Sequence, residues 1–290
     1  MATSHPKLEY TSYQTPEFLA NYYIAEKLTG PFATSVIEHA RIAERARSGP
    51  PRAILDTACG LGIVSSTLNR TLDDESKRRW SLTCGDLSET MIEATRQRIE
   101  REKWPNADAK VVNAQSTGYP DERFTDIFAA FAFTLFPDPE AAMNECYRIL
   151  KPGGTLAATT WKYATWMSLL RTAVTGMSEG LSFPTIEEFL AMHNVGWDSE
   201  SFVRSQFEKS GFKEVRVTSV TEQVEVPISE FLQLSRSMLS LVMEKWWTRE
   251  QRERYQAEAP LAVQRYLEEK FGVDGLVDME LSAIVAVGSK

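Results

Sequence analysis

Between residues 54 and 62 the chain reads Ile54-Leu55-Asp56-Thr57-Ala58-Cys59-Gly60-Leu61-Gly62, a short apolar strand pattern that runs into a glycine-rich turn and then into a helical pattern. Few folds tolerate that succession. Glycines at 60 and 62 remove side chains where a ligand approaches the backbone, and the N-terminus of the helix that follows favours a ligand's anionic end. A tight turn with no ligand is the alternative. A complete dinucleotide fingerprint would carry a third glycine at position 65, which here is Ser65, and that departure weakens a pyrophosphate-binding reading.

The next strand pattern ends in Leu82-Thr83-Cys84-Gly85-Asp86. A carboxylate at that place can accept both hydroxyl protons of a ribose, or else simply cap the helix beginning near Ser88. Either NAD or S-adenosylmethionine fits these two elements. From Arg52 onward, short apolar runs alternate with helical stretches, the mark of a parallel sheet covered on both faces. Strands are expected at 53–56, 81–84, 110–112, 126–133 and 155–160, with helices at 64–71, 89–101 and 139–150. This is a doubly wound α/β arrangement.

Outside that core the pattern is mostly helical. One helix is expected to end at Gly30 and a second to run from Pro31 to Arg47, before the breaker Ser48-Gly49-Pro50-Pro51. Beyond Trp161, helices at 165–177, 185–193, 199–209, 228–245 and 249–271 surround two strand-like runs, 213–226 and 279–287. The expected division is a helical N-terminal cover over 1–50, a cofactor-binding core over 51–161, and a helical lid with closing edge strands over 162–290.

Composition narrows the function. The chain has 290 residues with 40 acids against 32 bases, a net charge of −8, so neither nucleic acid nor an anionic membrane is attracted overall. No apolar stretch is long enough for a membrane span. Cys59, Cys84 and Cys146 and the three histidines are scattered, so neither a disulfide framework nor a metal site can be read, and a reducing, cytoplasmic compartment is expected. Cys59 and Cys84 read as small buried hydrophobes rather than nucleophiles, since no activating base is identifiable.

The series of motifs resembles class I S-adenosylmethionine-dependent methyltransferases. It comprises the glycine turn, Asp86-Leu87-Ser88-Glu89-Thr90-Met91, Asn113-Ala114-Gln115, Ala130-Phe131-Ala132-Phe133, Phe136-Pro137-Asp138-Pro139-Glu140 and Leu150-Lys151-Pro152-Gly153-Gly154. The departures are Ala58, where many members carry glycine, and Asn113, often Asp. A further resemblance, carried by Glu26-Lys27-Leu28-Thr29-Gly30, by Leu82 to Glu89 and by His193 to Ser201, is to fungal natural-product methyltransferases of the gliotoxin bis-thiomethyltransferase type. Such enzymes methylate both thiols of a reduced epidithiodioxopiperazine.

The resemblance implies a Rossmann-like methyltransferase sheet and S-adenosyl-L-methionine as cofactor, with no metal. It places Asp56, Ala58, Cys59, Gly60 and Gly62 near the methionine end, Asp86 on the ribose, Leu87 and Met91 flanking adenine, and Asn113 and Ala114 at its polar edge. Tyr22 would hydrogen-bond the cofactor's carboxylate, with an ordinary helix contact as the alternative. Phe131 would border the methyl group, with core packing as its rival. Trp161, Trp166, Phe183, Met192, His193 and Trp197 would wall a flat, apolar acceptor, although aromatics at such spacing equally form plain core. His193 is the weak candidate for a general base, with a satisfied structural histidine as the alternative. The partner expected is a small molecule, an O- or N-acceptor or a cofactor-binding regulator without turnover being the alternatives, and the oligomeric state is left open, a monomer being compatible with the sequence.

Overall fold

Successive side chains of a strand point to opposite faces, so a strand that is apolar at every position must be covered on both. The computed structural model describes residues 16–185, 188 and 195–290, and its central strands behave in this way. Ile54, Leu82, Phe128, Ala157 and Val285 enter one core, while Ala53, Leu55, Ile127, Ala129, Leu156, Ala158 and Ile284 enter the other.

Seven strands form one sheet: β1 (Arg52–Thr57), β2 (Trp80–Asp86), β3 (Ala107–Val111), β4 (Phe124–Ala130), β5 (Leu150–Ala164), β6 (Lys213–Pro227) and β7 (Leu276–Ser289). Their order is β3-β2-β1-β4-β5-β7-β6. β1 pairs in parallel with both β2 and β4, β2 with β3, and β4 with β5. The start of β5 meets the end of β7, Gly153 N–H donating to Lys290 O and Lys290 N–H to Gly154 O, both at 2.9 Å, so β7 runs against β5. The order reverses direction between β1 and β4, which is where open α/β sheets leave a crevice at their strand ends.

Two units can be told apart. The first comprises residues 1–162, 196–220 and 283–290. Its helices are α1 (Pro16–His39), α2 (Ile42–Ser48), α3 (Ile63–Thr71), α4 (Asp74–Arg78), α5 (Glu89–Glu102), α6 (Pro139–Ile149) and α8 (Glu200–Lys209), numbered along the chain around α7 of the second unit. Residues 196–220 and 283–290, which the sequence pattern groups with the C-terminal segment, belong here. The second unit comprises residues 163–195 and 221–282 and contains α7 (Trp166–Thr175), α9 (Ile228–Trp246), α10 (Arg249–Tyr255) and α11 (Ala259–Phe271). Its core is built from Leu170 and Val174 of α7, Phe231, Leu239 and Val242 of α9 and Val263 and Leu267 of α11.

Three expectations need correction. No break falls at Gly30-Pro31, because α1 continues to His39 with Pro31 inside it. Proline in a helix interior costs about 3 kcal/mol, but Phe32, Ala33, Val36 and Ile37 beyond it are all buried, and their burial outweighs that cost. Second, the run from Arg249 to Phe271 is two helices, α10 and α11, separated at 256–258. Third, β3 begins three residues before Lys110 and ends at Val111, one residue short of the expected strand. The helix expected at 185–193 lies almost wholly outside the described residues.

α2 is fixed to the sheet by a buried acid. Asp126 of β4 is 1% exposed and meets the Arg45 guanidinium at 2.7 Å and that of Arg52 at 3.6 Å, with the Thr125 hydroxyl donating to it at 2.7 Å. On the opposite flank Glu145 of α6 ties down the segment after β3. It accepts from Thr117 N–H at 2.7 Å and from Arg148 at 2.7 and 2.8 Å. Burial alone would raise its carboxyl, but the hydrogen bonds from Arg148 and Thr117 prevail and hold it at about 2. A depressed acid stabilises above its unfolded value of 4.5 and loses that contribution as pH falls through about 2. Glu145→Gln should therefore lower stability at pH 7 by roughly 1 kcal/mol, Arg148 being partly solvated. Denaturant titrations should show the gap between variant and wild type closing as pH falls from 5 towards 2. A gap independent of pH would contradict this account.

Candidate active site

The crevice predicted by the strand order holds a cavity of about 340 Å³. It collects the C-terminal ends of β1, β2 and β4, the segment after β3, Trp161 of β5 and one face of α1. All of it lies within the first unit.

Asp56, near the end of β1, is 1% exposed. Its Oδ2 accepts from Ser65 N–H at 3.1 Å and from Ser65 Oγ–H at 2.7 Å, so it occupies the first turn of α3. Serine at the third position of the glycine motif thus has a role that glycine could fill only in part, since the hydroxyl supplies the shorter bond. Burial pushes Asp56 up to about 7, against the lowering effect of the Ser65 bonds. Asp86, at the end of β2, accepts from Gly60 N–H at Oδ2 and from Ser88 N–H at Oδ1, each at 2.9 Å. Burial raises its carboxyl too, opposed by those backbone donors.

The turn itself is internally satisfied. Cys59 N–H donates to Gly85 O at 3.0 Å and Gly62 N–H to Cys59 O at 2.8 Å. The Gly60 and Leu61 carbonyls accept from Thr95 Oγ1 at 2.8 Å and from Arg98 Nη1 at 3.0 Å. The N–H groups of Gly60 and Gly62 are thus used by the protein and do not reach out to a ligand, which corrects the expectation that they would. Gly60 is required for another reason: a Cβ there would stand 2.6 Å from Cζ of Tyr22. Gly62 takes φ +77 and faces Trp104, and it is not part of the cavity lining. Ala58, where glycine was noted as commoner, holds φ +50, a conformation that costs an alanine roughly 1 kcal/mol or more.

Tyr22, Asp56, Ala58, Cys59, Gly60, Asp86, Leu87, Met91, Asn113, Ala114 and Phe131 all line the cavity. The Tyr22 phenol is driven upward by burial and by the neighbouring Asp86, Cys59, Glu26 and Asp56, and so stays a neutral donor. Cys59 is raised well above its ordinary value by its hydrogen bond with Cys84 and by burial, and as a thiol it is a poor nucleophile. Ala25 and Thr29, three and seven residues beyond Tyr22, also line the cavity; their helical spacing would have revealed them. Ser88, Gln115, Thr134 and Leu135 join them. Gln115 Oε1 accepts from Asp138 N–H at 3.1 Å, which ties the lining to the cap of α6.

Of the expected acceptor wall, Trp161 lines the cavity, whereas Trp166, Phe183 and Trp197 do not. Trp161 stacks on Phe131 at 4.1 Å, and Phe32 meets both rings edge-on at 5.6 and 5.8 Å. Trp197 is a core residue: it stacks on Phe133 at 5.1 Å, and its carbonyl accepts from Thr160 Oγ1 at 2.7 Å. Trp166 and Phe183 lie in the second unit, and Met192 and His193 lie outside the described residues. Among the described residues the lining contains two carboxylates and no lysine, arginine or histidine.

Comparison with known proteins agrees with this geometry. A methyltransferase domain model matches residues 55–158. The methyltransferase tpcH of Aspergillus fumigatus is 46% identical over 273 residues, 94% of this chain and 96% of that protein. The acetylaranotin bis-thiomethyltransferase of Aspergillus terreus is 40% identical over 274 residues, 94% of each chain. Among solved structures, the phosphoethanolamine N-methyltransferase 2 of Haemonchus contortus in complex with S-adenosyl-L-methionine superposes with a TM-score of 0.54 at 13% identity, over 97% of this chain and 59% of that one, a likeness of fold. The chain belongs to the family of S-adenosylmethionine-dependent methyltransferases that these fungal enzymes represent. Its cofactor is S-adenosyl-L-methionine.

The elevated Asp56 has a measurable consequence. An acid whose folded value is raised favours the folded state fully below its unfolded value of 3.8, and that contribution is lost as pH rises through about 7. Asp56→Asn keeps an acceptor for Ser65 and removes the titration. Its stability relative to wild type, measured by denaturant unfolding, should improve steadily from pH 4 to pH 7 and then level off. Parallel profiles for the two proteins would show that Asp56 is ionised throughout.

Proposed function

We propose that this enzyme transfers methyl groups to the thiol sulfurs of a small, uncharged dithiol natural product, of the class indicated by the name of its bis-thiomethyltransferase relative. The observation that carries this reading is a cavity lining that, among the described residues, holds no lysine, arginine or histidine, joined to 40% identity with that relative over nearly the whole chain. A phenol or alcohol needs a base to remove its proton, whereas a thiol near its reference value of about 8.5 is partly ionised at neutral pH. The carboxylates in the lining, Asp56 and Asp86, already accept from Ser65 and from the Gly60 and Ser88 N–H groups, so this reading leaves the acidity to the acceptor.

The cradle suits the cofactor. Asp86 sits at a strand end with a spare lone pair on each oxygen, available to the ribose hydroxyls. Leu87 and Met91 supply apolar surface for adenine, and Asn113 and Ala114 its polar edge. Asp56, Ala58, Cys59, Gly60 and Tyr22 surround the methionine end, the neutral Tyr22 phenol donating to the carboxylate. Two acids in a lining that holds no lysine, arginine or histidine among the described residues favour a ligand bearing a sulfonium and an ammonium. When bound, S-adenosylmethionine supplies a methyl group on an excellent leaving group, so the protein's share is alignment. Phe131 and Trp161 offer a flat wall against which an apolar acceptor is oriented. The partner is a small molecule rather than nucleic acid, and the chain works in the cytoplasm. No helix among the described residues is long and apolar enough to cross a membrane.

Asp86→Ala should weaken cofactor binding roughly tenfold or more, since hydrogen bonds to a charged acceptor contribute about 1.5 to 3 kcal/mol each. Titration calorimetry with S-adenosylhomocysteine checks this, and unchanged affinity would remove Asp86 from the ribose. The acceptor atom is tested with matched thiol and phenol acceptors across pH 6 to 9. The thiol should be methylated preferentially, with a rate that climbs as the acceptor ionises. Preference for the phenol would identify an O-methyltransferase.

A further inference from the structure

Away from the cavity lining, a network of polar contacts in the first unit centres on Arg98 of α5. Its Nη1 contacts the Glu26 carboxylate of α1 at 2.7 and 3.0 Å and the Leu61 carbonyl of the glycine turn at 3.0 Å. Its Nε donates to Glu102 at 2.8 Å. Glu102 is held in turn by Ser66 Oγ at 2.8 Å and Trp104 Nε1 at 2.9 Å. Arg98 and Glu26 are each only 11% exposed.

A buried ion pair is poor evidence for stability, because desolvating two charges offsets much of their attraction. Burial does raise the Glu26 carboxyl, with Arg98 opposing it. What the pair does is geometric. Glu26 stands four residues after Tyr22 on α1, so the two side chains share one face, one turn apart. Fixing Glu26 fixes the height and rotation of Tyr22 over Gly60, whose missing Cβ makes room for the ring. The same guanidinium nitrogen holds the carbonyl next to Gly60. Helix and turn are thereby referenced to a single atom.

We propose that Glu26 and Arg98 are positioning residues that set Tyr22 against the glycine turn, and that they act on cofactor binding through Tyr22. This rests on the reading of Tyr22 as a cofactor ligand. Neither residue lines the cavity, so any effect on affinity must travel through what they hold.

The test is a double-mutant cycle on S-adenosylhomocysteine affinity with Tyr22→Phe and Glu26→Gln, each variant's melting temperature being recorded alongside. Tyr22→Phe and Glu26→Gln should each weaken binding, the first by roughly tenfold, and the double variant should bind no more weakly than Tyr22→Phe alone. Effects that multiply, or a Glu26→Gln that melts earlier but binds normally, would overturn the positioning role. Unchanged affinity in Tyr22→Phe alone would instead strike the reading of Tyr22 as a ligand. If Glu26→Gln does not fold, Arg98→Lys takes its place in the cycle. It retains a charge opposite Glu26 but cannot reach Leu61 O and Glu102 together, and the same outcomes decide.

Discussion

Two carboxylates at the ends of neighbouring parallel strands hold the turn on which this enzyme is built. β1 and β2 run in a register that sets Asp56 beside Cys84, so Asp86 extends one pleat further and meets Gly60 N–H, while Asp56 reaches forward to Ser65. Without them, backbone donors at the turn and at the start of α3 would be buried unpaired, each at a cost of about 1 to 3 kcal/mol. The shape of the turn is therefore settled by the protein's own acids before any ligand arrives.

α5 completes the same structure from the other side. Met91, Thr95 and Arg98 lie at the helical spacing that shares one face, and they serve the cavity wall, the Gly60 carbonyl and the Leu61 carbonyl respectively. The Cys59, Gly60 and Gly62 N–H groups and the Gly60 and Leu61 carbonyls are paired within the protein, so at these positions the turn contributes shape. On the proposed reading, recognition falls to the side chains of Asp86, Tyr22, Leu87 and Met91. Two residues of the lining, Ala58 with φ +50 and Phe131 with φ +55, hold left-handed backbone.

The parts of this arrangement that could be read in the sequence share one property: each is tied to a strand end. Asp56, Gly60, Asp86, Asn113 and Phe131 follow runs whose periodicity is unmistakable, so their convergence on one edge of a sheet follows from parallel topology alone. What could not be read depends on the direction of individual groups or on tertiary burial. Nothing in the letters shows that the Gly60 N–H points to Asp86, or that Phe32 and Val36 bury deeply enough to carry a helix past Pro31. Trp161 and Trp197 look alike in sequence, yet one walls the cavity and the other stacks on Phe133, because an aromatic ring serves a core and a pocket equally well.

The charge distribution explains why rigidity matters here more than acid–base chemistry. Among the described residues the lining offers two carboxylates and no lysine, arginine or histidine, so the protein does little to stabilise an anionic acceptor. The remaining lever is orientation, whose value in bringing reacting groups into line reaches about 7 to 11 kcal/mol. The buried Phe131 is held at its backbone as well as its ring: its N–H is bonded to Thr159 at both the carbonyl and the hydroxyl, at 2.9 and 3.2 Å. Trp161 stacks on it and Phe32 braces both rings from the edge. An enzyme that relies on its cofactor for driving force and on its acceptor for acidity needs a wall that does not move.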